Sequence, residues 1–235
     1  MGLSIVLPTY NERENIVTMI NRVRDKCVRH NLNFEIVVID DDSPDGTWKI
    51  VEDVFKTDSN VKLLRRIGKK GLASAIIDGI NYTKNDSIVV MDSDLSHDLE
   101  IIDKMYHALQ DCDIVIGSRY VKGGRIEGWT LKRKIISRGA TLIAKLLLFR
   151  PEKDPLSGFF MIRKNAFEAV KELLKPKGYK ILLELLVKGD FVVKEIPFTF
   201  RNRTKGKSKL TKGVMKEYLK MILELIIFKI TNRLG

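Results

Sequence analysis

The 235-residue chain has only two cysteines, Cys27 and Cys112, and their separation resembles no metal-binding spacing. The pair therefore gives no support for a zinc site. Cys27 shares a predicted helix face with Ile16, Ile20 and Val23, so we expect it to pack in the core. With so few cysteines, we expect the chain to work in a reducing compartment.

Long apolar runs are also missing, since no stretch of 18 residues is free of charge. The sequence therefore predicts no membrane-spanning helix. Residues 3–7 read as a strand that Pro8 ends, and they lack the pattern of a secretory signal. Neither a Gly-x-Gly-x-x-Gly motif nor a Gly-Lys-Ser/Thr loop occurs, which removes support for dinucleotide-dependent oxidoreductases and P-loop enzymes.

Positive charge is unevenly distributed in this chain, whose formal net charge is +12. Residues 119–150 carry nine Lys and Arg against one acid, and residues 201–212 carry six against none. These two segments account for the whole positive excess. We therefore expect two local basic surfaces that meet an anion.

Residues 88–98 combine an apolar run with a cluster of acids, in the order Ile-Val-Val-Met-Asp-Ser-Asp-Leu-Ser-His-Asp. The run predicts a strand buried on both faces, and in an open α/β sheet the carboxyl ends of the strands border the ligand crevice. Asp92 and Asp94, two apart on an extended chain, would point the same way and share one hard cation. Carboxylate oxygens suit Mg²⁺ or Mn²⁺ bridging a substrate diphosphate.

Two other interpretations of this acidic stretch are open. Its alternating acids imitate a calcium-binding loop, but His97 and Asp103 stand where such a loop needs Gly and Glu. The acids could instead cap the next helix, because apolar residues follow them at helical spacing.

Strand-like and helix-like patterns alternate along the first half of the chain, which predicts an α/β fold with a mostly parallel sheet flanked by helices. The predicted strands are residues 3–7, 34–39, 61–64 and 88–91. The loops expected to gather at one sheet edge are residues 8–12, 40–47 and 92–98. A nucleotide would fit there, with Tyr10 against a base or ribose and Asp41 accepting hydrogen bonds from either.

Two helices of the second half are both basic and apolar. Residues 131–149 mix Leu, Ile and Phe with Lys and Arg, and residues 214–230 carry charges among many large apolar residues. The second helix is too charged to span a bilayer and too apolar for an ordinary surface helix. We expect these helices to lie on a membrane or pack on a partner helix.

Six motifs, taken in order, resemble those of the dolichol-phosphate mannose synthases, which are inverting glycosyltransferases of GT-A fold. They are Pro-Thr-Tyr-Asn-Glu at 8–12, Asp-Asp-Asp-Ser-Pro-Asp-Gly-Thr at 40–47, Asp-Ser-Asp-Leu at 92–95, Gly-Ser-Arg-Tyr at 117–120, Ser-Gly-Phe at 157–159 and Gly-Lys-Ser-Lys-Leu at 206–210. The resemblance extends from about residue 4 to residue 210. It implies a catalytic domain over 1–210, which includes the amphipathic helix 131–149, and a C-terminal amphipathic helix over 211–235.

The resemblance implies transfer of mannose from GDP-mannose to dolichyl or another polyprenyl phosphate with a Mg²⁺ or Mn²⁺ ion. The residues implied for the nucleotide sugar are Pro8, Tyr10, Glu12, Ile39, Asp41, Asp92, Ser93, Asp94, Arg119, Arg203 and Lys209. The residues implied for the reaction are Asp92 and Asp94 at the diphosphate, with Arg119, Arg133 and Ser137 at the acceptor phosphate. The implied metal ligands are Asp92, Asp94 and Ser96, which stands where the family usually has Gln.

Two alternatives use the same features differently. A UDP-glucose:polyprenyl-phosphate glucosyltransferase would share the fold, because Ile39 and Asp41 do not reveal the base. A non-enzymatic nucleic-acid or membrane-surface binder would use residues 201–212, but stacking aromatics are not interleaved there and residues 92–98 would be unexplained. We therefore expect no nucleic acid as partner. We expect instead an anionic membrane surface, with the chain at its cytoplasmic face, peripheral or tethered by a membrane domain outside this sequence.

Overall fold

The computed structural model describes residues 2–175, 178–202 and 212–231, which form a layered α/β structure. The strands within these ranges are β1 Gly2–Thr9, β2 Asn33–Asp40, β3 Val61–Arg65, β4 Ser87–Val90, β5 Ile114–Ser118, β6 Arg125–Ile126, β7 Phe160–Arg163, β8 Val193–Pro197 and β9 Thr199–Phe200. The α-helices are α1 Ile16–Arg29, α2 Thr47–Phe55, α3 Leu72–Tyr82, α4 Ile102–Ala108, α5 Leu131–Leu148, α6 Lys164–Val170, α7 Ile181–Lys188 and α8 Lys212–Thr231.

The main sheet has seven strands in the order β3-β2-β1-β4-β7-β5-β8. Strand β4, which leads to the acidic stretch, is the middle strand. Strands β1, β2, β3 and β4 are mutually parallel, as expected from the alternating pattern. Strand β7 runs antiparallel to both of its neighbours. The sheet is therefore mostly parallel with one reversed strand.

The carboxyl ends of the parallel strands bring the three polar loops together. Thr9 at the end of β1 is paired in register with Asp40 at the end of β2, and Val6 of β1 is paired with Val90 of β4. The predicted gathering of residues 8–12, 40–47 and 92–98 at one sheet edge is confirmed.

The central strands of the sheet are buried on both faces, which explains their nearly continuous apolar runs, whereas the edge strands β3 and β8 are half-buried. One core cluster packs α1, α2 and α4 on one face, and it includes Cys27 as expected. The other packs α3, α6 and α7 on the opposite face. Gly79 of α3 is required there, because an added Cβ would lie 2.6 Å from Ile39 Cδ1 and 2.8 Å from Val6 Cγ1.

Helices α5 and α8 form a third, smaller cluster with α7. Tyr218 Oη donates a hydrogen bond to the Ala140 carbonyl at 2.6 Å, and Ile222 and Leu225 are buried in the same cluster. Burial raises the pKa of Tyr218 to about 12. Among the described helices, none combines the length and apolarity that crossing a bilayer requires. The expected packing of the tail on a partner helix occurs within the chain itself.

Candidate active site

The acidic stretch after β4 is a tight turn rather than an extension of the strand. Strand β4 ends at Val90, and Leu95 adopts a left-handed backbone with φ of 64°. Residues 92–94 lie beyond the strand, and a bend begins at Ser93, so the extended chain expected there is not present. Asp92 is half-buried, whereas Asp94 is buried.

Asp94 and Ser96 are joined within this turn. Both the backbone N–H and the hydroxyl of Ser96 donate to Asp94 Oδ1, at 3.0 and 2.5 Å. Ser96 is fully buried, so its hydroxyl is directed at the carboxylate. Asp98 has a different role, because its Oδ1 accepts from the Glu100 N–H at 3.2 Å and caps the following helical turn.

His97 stabilises the turn through a hydrogen bond and through ring packing. Its Nδ1 accepts the Asp92 backbone N–H at 3.2 Å, and its ring stacks on Phe159 with centroids 4.9 Å apart. Phe198 and Phe200 meet the same ring edge-on. An aromatic cluster therefore holds the carboxylate turn in place.

The first polar loop contacts this turn directly. Ser93 Oγ donates to the Pro8 carbonyl at 3.2 Å. The Tyr10 ring is half-buried, with Lys70 Nζ 5.7 Å from its centroid. The Glu12 carbonyl accepts the Ile16 N–H at 2.9 Å, so Glu12 also starts helix α1. The structure thus brings Pro8 and Ser93 together, while the nucleotide contact of Tyr10 stays a prediction.

Asp41 is held by an arginine that the sequence did not single out. Arg66 Nε donates to Asp41 Oδ1 and the Gly71 N–H donates to Oδ2, each at 2.8 Å. Both Asp41 and Arg66 are buried. Ile39, in contrast, lies in the core beneath α3, so its side chain does not line the crevice.

The 40–47 loop is stabilised by its own side chains. Asp40 Oδ1 accepts the Ser43 N–H at 2.7 Å, while Asp45 Oδ1 accepts the Thr47 N–H at 2.9 Å. Burial raises the pKa of Asp40, although these hydrogen bonds oppose the shift. Turn and cap chemistry therefore accounts for Asp40, Asp45 and Thr47.

The first basic surface is anchored by Arg119 and Asp154. The Arg119 N–H, Nε and Nη2 donate to the Asp154 carboxylate at 2.9, 2.8 and 2.7 Å. Burial alone would lower the pKa of Arg119, but Asp154 raises it above its ordinary value. Within the described residues, Arg119 Nη1 makes no hydrogen bond and remains able to donate one.

Arg133 and Ser137 lie near Arg119 because each shares an aromatic neighbour with it. The guanidinium carbon of Arg133 lies 4.0 Å from the centre of the Trp129 ring, and that of Arg119 lies 5.8 Å from it. Ser137 Oγ is 2.9 Å from Tyr120 Oη, and Arg119 lies 5.3 Å from the Tyr120 ring. The structure therefore gathers the three residues predicted for the acceptor phosphate.

The basic segment predicted to contact the donor phosphates starts beside the carboxylate turn. The Arg201 N–H donates to the Ser96 carbonyl at 3.0 Å, and Arg201 Nη1 lies 3.9 Å from Asp98 Oδ2. Arg203 and Lys209 themselves lie outside the described residues.

The donor atoms of the turn fit a hard divalent cation. Asp92, Asp94 and Ser96 offer oxygen ligands, and Gly158 lies beside Asp92, where an added Cβ would make an ordinary contact of 3.4 Å with Asp92 Oδ2. Two carboxylates fill only part of a six-coordinate shell. A cation held here would take its remaining ligands from substrate phosphates and water.

Comparison with known proteins gives three kinds of similarity. The sequence model of Glycosyl transferase family 2 matches residues 4–171. The chain is 46 % identical over 230 residues to a dolichol-phosphate mannosyltransferase of Pyrococcus furiosus, covering 96 % of this chain and 64 % of that protein. It is 34 % identical over 235 residues to the Saccharomyces cerevisiae dolichol-phosphate mannosyltransferase, covering 96 % and 87 %.

Solved structures share the fold at low sequence identity. Glucosyl-3-phosphoglycerate synthase from Mycobacterium tuberculosis, in complex with Mn²⁺, UDP-glucose and phosphoglyceric acid, superposes with a TM-score of 0.69 at 17 % identity, covering 96 % of this chain and 79 % of that chain. Mannosyl-3-phosphoglycerate synthase from Rubrobacter xylanophilus gives 0.64 at 14 % identity, covering 96 % and 73 %. The expected GT-A architecture is confirmed.

Proposed function

Because the chain belongs to Glycosyl transferase family 2, we propose that it transfers mannose from GDP-mannose to the phosphate of dolichol or another polyprenol with inversion. One observation carries the proposal: an acidic turn suited to a metal-bound diphosphate and an arginine cluster suited to a second phosphate flank the same loop, residues 154–158. The chain spans 64 % of the length of its Pyrococcus relative, which is named dolichol-phosphate mannosyltransferase.

Metal dependence is part of the proposal. Asp92, Asp94 and Ser96 would hold Mg²⁺ or Mn²⁺, which when bound supplies charge neutralisation at the leaving diphosphate. Pro8, Tyr10, Glu12 and the Asp41–Arg66 pair would bind the nucleoside. Ile39 would contribute through its backbone, because its side chain is in the core.

The reaction needs no general base in this scheme. An acceptor phosphate is already anionic near neutral pH, so one of its oxygens attacks the sugar C1 while the bond from C1 to the diphosphate oxygen breaks. Two unit charges at 4 Å repel by about 4 kcal/mol at an effective dielectric of about 20. Arg119 and Arg133 would reduce that repulsion, and Ser137 would orient the phosphate.

We also propose that the enzyme works as a peripheral protein on an anionic membrane surface at its cytoplasmic face. The exposed apolar side chains of α5 and α8 support this. The α5 stripe consists of Leu131, Ile135, Leu142 and Leu146, and the α8 stripe of Leu219, Leu223, Ile227 and Ile230. Residues 119–150 add positive charge for lipid headgroups.

Calorimetric titration with GDP and UDP, with and without Mn²⁺, tests the donor and the metal together. We expect metal-dependent binding in which GDP binds more tightly than UDP. Equal or tighter binding of UDP would favour the glucosyltransferase alternative and overturn the proposed donor. Equal nucleotide affinity with and without Mn²⁺ would overturn the proposed role of the acidic turn.

A further inference from the structure

Lys180 is a cation at the transfer site that the motifs do not assign. It immediately precedes α7, where its carbonyl accepts the Leu183 N–H at 3.1 Å. The far end of its side chain is fixed as well, because Nζ donates to the Leu156 carbonyl at 3.0 Å. Both the backbone and the ammonium group of this half-buried residue are therefore held in place.

The residues on either side of Leu156 place this ammonium group between the two halves of the site. Asp154, two residues before Leu156, binds Arg119. Gly158, two residues after it, lies against the Asp92 carboxylate. Lys180 Nζ is thus attached to the middle of the short segment that joins the acceptor-side arginine to the donor-side acid.

The electrostatic surroundings of Lys180 agree with this position. Burial and the charge of Arg119 lower its pKa to about 8, while Asp92 and Asp154 oppose the shift. Within the described residues its ammonium group makes no ion pair within 4.0 Å, and its hydrogen-bond acceptor is a neutral carbonyl. The positive charge of Lys180 is therefore not neutralised by direct contact.

Arg119 differs from Lys180 in this respect. Its guanidinium is paired with the fully buried Asp154, so the pair brings little net charge to a phosphate. Its main contribution is a directed hydrogen-bond donor, Nη1. An acceptor phosphate that reacts as an anion needs net positive charge beside it. Lys180 can supply the charge that the Arg119–Asp154 pair lacks.

We infer that Lys180 binds the acceptor phosphate, its ammonium group donating to a phosphate oxygen on the side that faces Asp92 while Arg119 Nη1 donates to another. This inference rests on the proposed function. A purely structural Lys180 would instead serve to hold the Leu156 carbonyl.

The test compares Lys180→Met, Lys180→Arg and the unmodified protein in a two-substrate assay with GDP-mannose and a short-chain prenyl phosphate. Lys171→Met serves as the matched control, because it removes the same charge from a surface pair with Glu168. We expect Lys180→Met to lower kcat/KM for the prenyl phosphate roughly 10- to 100-fold, the usual effect of losing a charge-assisted hydrogen bond. GDP affinity should change less than threefold, and Lys180→Arg should recover part of the loss.

A pH series separates binding from structural support. The KM of the unmodified protein for prenyl phosphate should rise above about pH 8, as Lys180 loses its proton, whereas Lys180→Arg should show no such rise. Because it uses only the unmodified protein and Lys180→Arg, this comparison still tests the role of Lys180 if Lys180→Met unfolds below the assay temperature. Identical pH profiles, or an unchanged acceptor KM in a folded Lys180→Met, would overturn the role of Lys180 alone. Absence of transfer by the unmodified protein would overturn the proposed function as well.

Discussion

Arg119 and Asp154 are joined by three hydrogen bonds, and the Asp154 carboxylate is completely buried beneath the arginine. The acid is itself positioned by Glu195 of β8, whose Oε1 accepts the Asp154 N–H at 3.0 Å. A strand at the end of the sheet thereby sets the direction of an arginine in the site.

Asp154→Asn should destabilise the fold and the acceptor site together. Removing the carboxylate charge leaves Arg119 buried without its counterion, which costs about 3–5 kcal/mol for a buried pair. Urea unfolding measures the free energy, with Asp111→Asn, in an exposed pair with Lys194, as the control. A loss below 1 kcal/mol would mean that Arg119 finds another partner.

The neighbours Arg65 and Arg66 provide a matched test of the nucleotide loop. Arg66 is buried against Asp41 and Asp78, whereas Arg65 pairs with the more exposed Asp42. We expect Arg66→Met to weaken GDP binding at least tenfold and to lower the free energy of unfolding by about 3 kcal/mol or more. Arg65→Met should cost about 0–1 kcal/mol. Equal effects of the two substitutions would contradict a special role for the Asp41 contact.

Asp94→Asn should abolish metal-dependent nucleotide binding while leaving a folded protein. The amide keeps the size of the side chain and an oxygen that can accept from Ser96, but it removes a charged cation ligand. Calorimetry with GDP and Mn²⁺ measures the loss, and thermal melting measures the fold. Asp98→Asn, at the nearby cap, is the control and should retain binding. A variant that unfolds and loses binding in proportion would support the capping interpretation.

Vesicle flotation tests the proposed membrane surface. Introducing Leu142→Glu and Leu146→Glu together should reduce binding to anionic vesicles at least tenfold, because each exposed leucine contributes about 1.5–3 kcal/mol when buried in lipid. Val54→Glu alters a side chain of similar exposure on α2 and should have no effect. Binding by the unmodified protein should weaken as salt rises. Failure of the unmodified protein to float at low salt would reject the membrane proposal.

Sequence reasoning recovered the parallel part of the fold because its signal is local. Each buried strand is an apolar run followed by a polar loop, and β1, β2 and β4 all show it. An apolar run of this kind does not indicate whether β7 is parallel or antiparallel to its neighbours. Phe160–Arg163 reads equally well in either direction, and its place between β4 and β5 depends on contacts across the whole sheet.

The same limit applies to the site. Asp92 and Asp94 could be identified from the sequence because they are acids that directly follow a buried strand. Arg66 and Lys180 do not, since nothing near them in the sequence marks them as facing Asp41 or Leu156. Asp154 carried one available signal: it closely follows the basic segment 119–150, whose arginines need a counterion. Contacts between residues that are distant in the sequence could therefore be identified only from the structure.

The two stripes on α5 and α8 bear on how the enzyme's kinetics must be measured. Both helices share an apolar cluster with α7, the helix that Lys180 precedes, so the proposed lipid-facing layer adjoins the proposed acceptor site. An enzyme that remains on the bilayer between turnovers meets its acceptor in two dimensions. Its rate then follows the mole fraction of prenyl phosphate in the surface rather than the bulk concentration, and diluting the acceptor with inert lipid slows turnover even when the total amount of acceptor is unchanged.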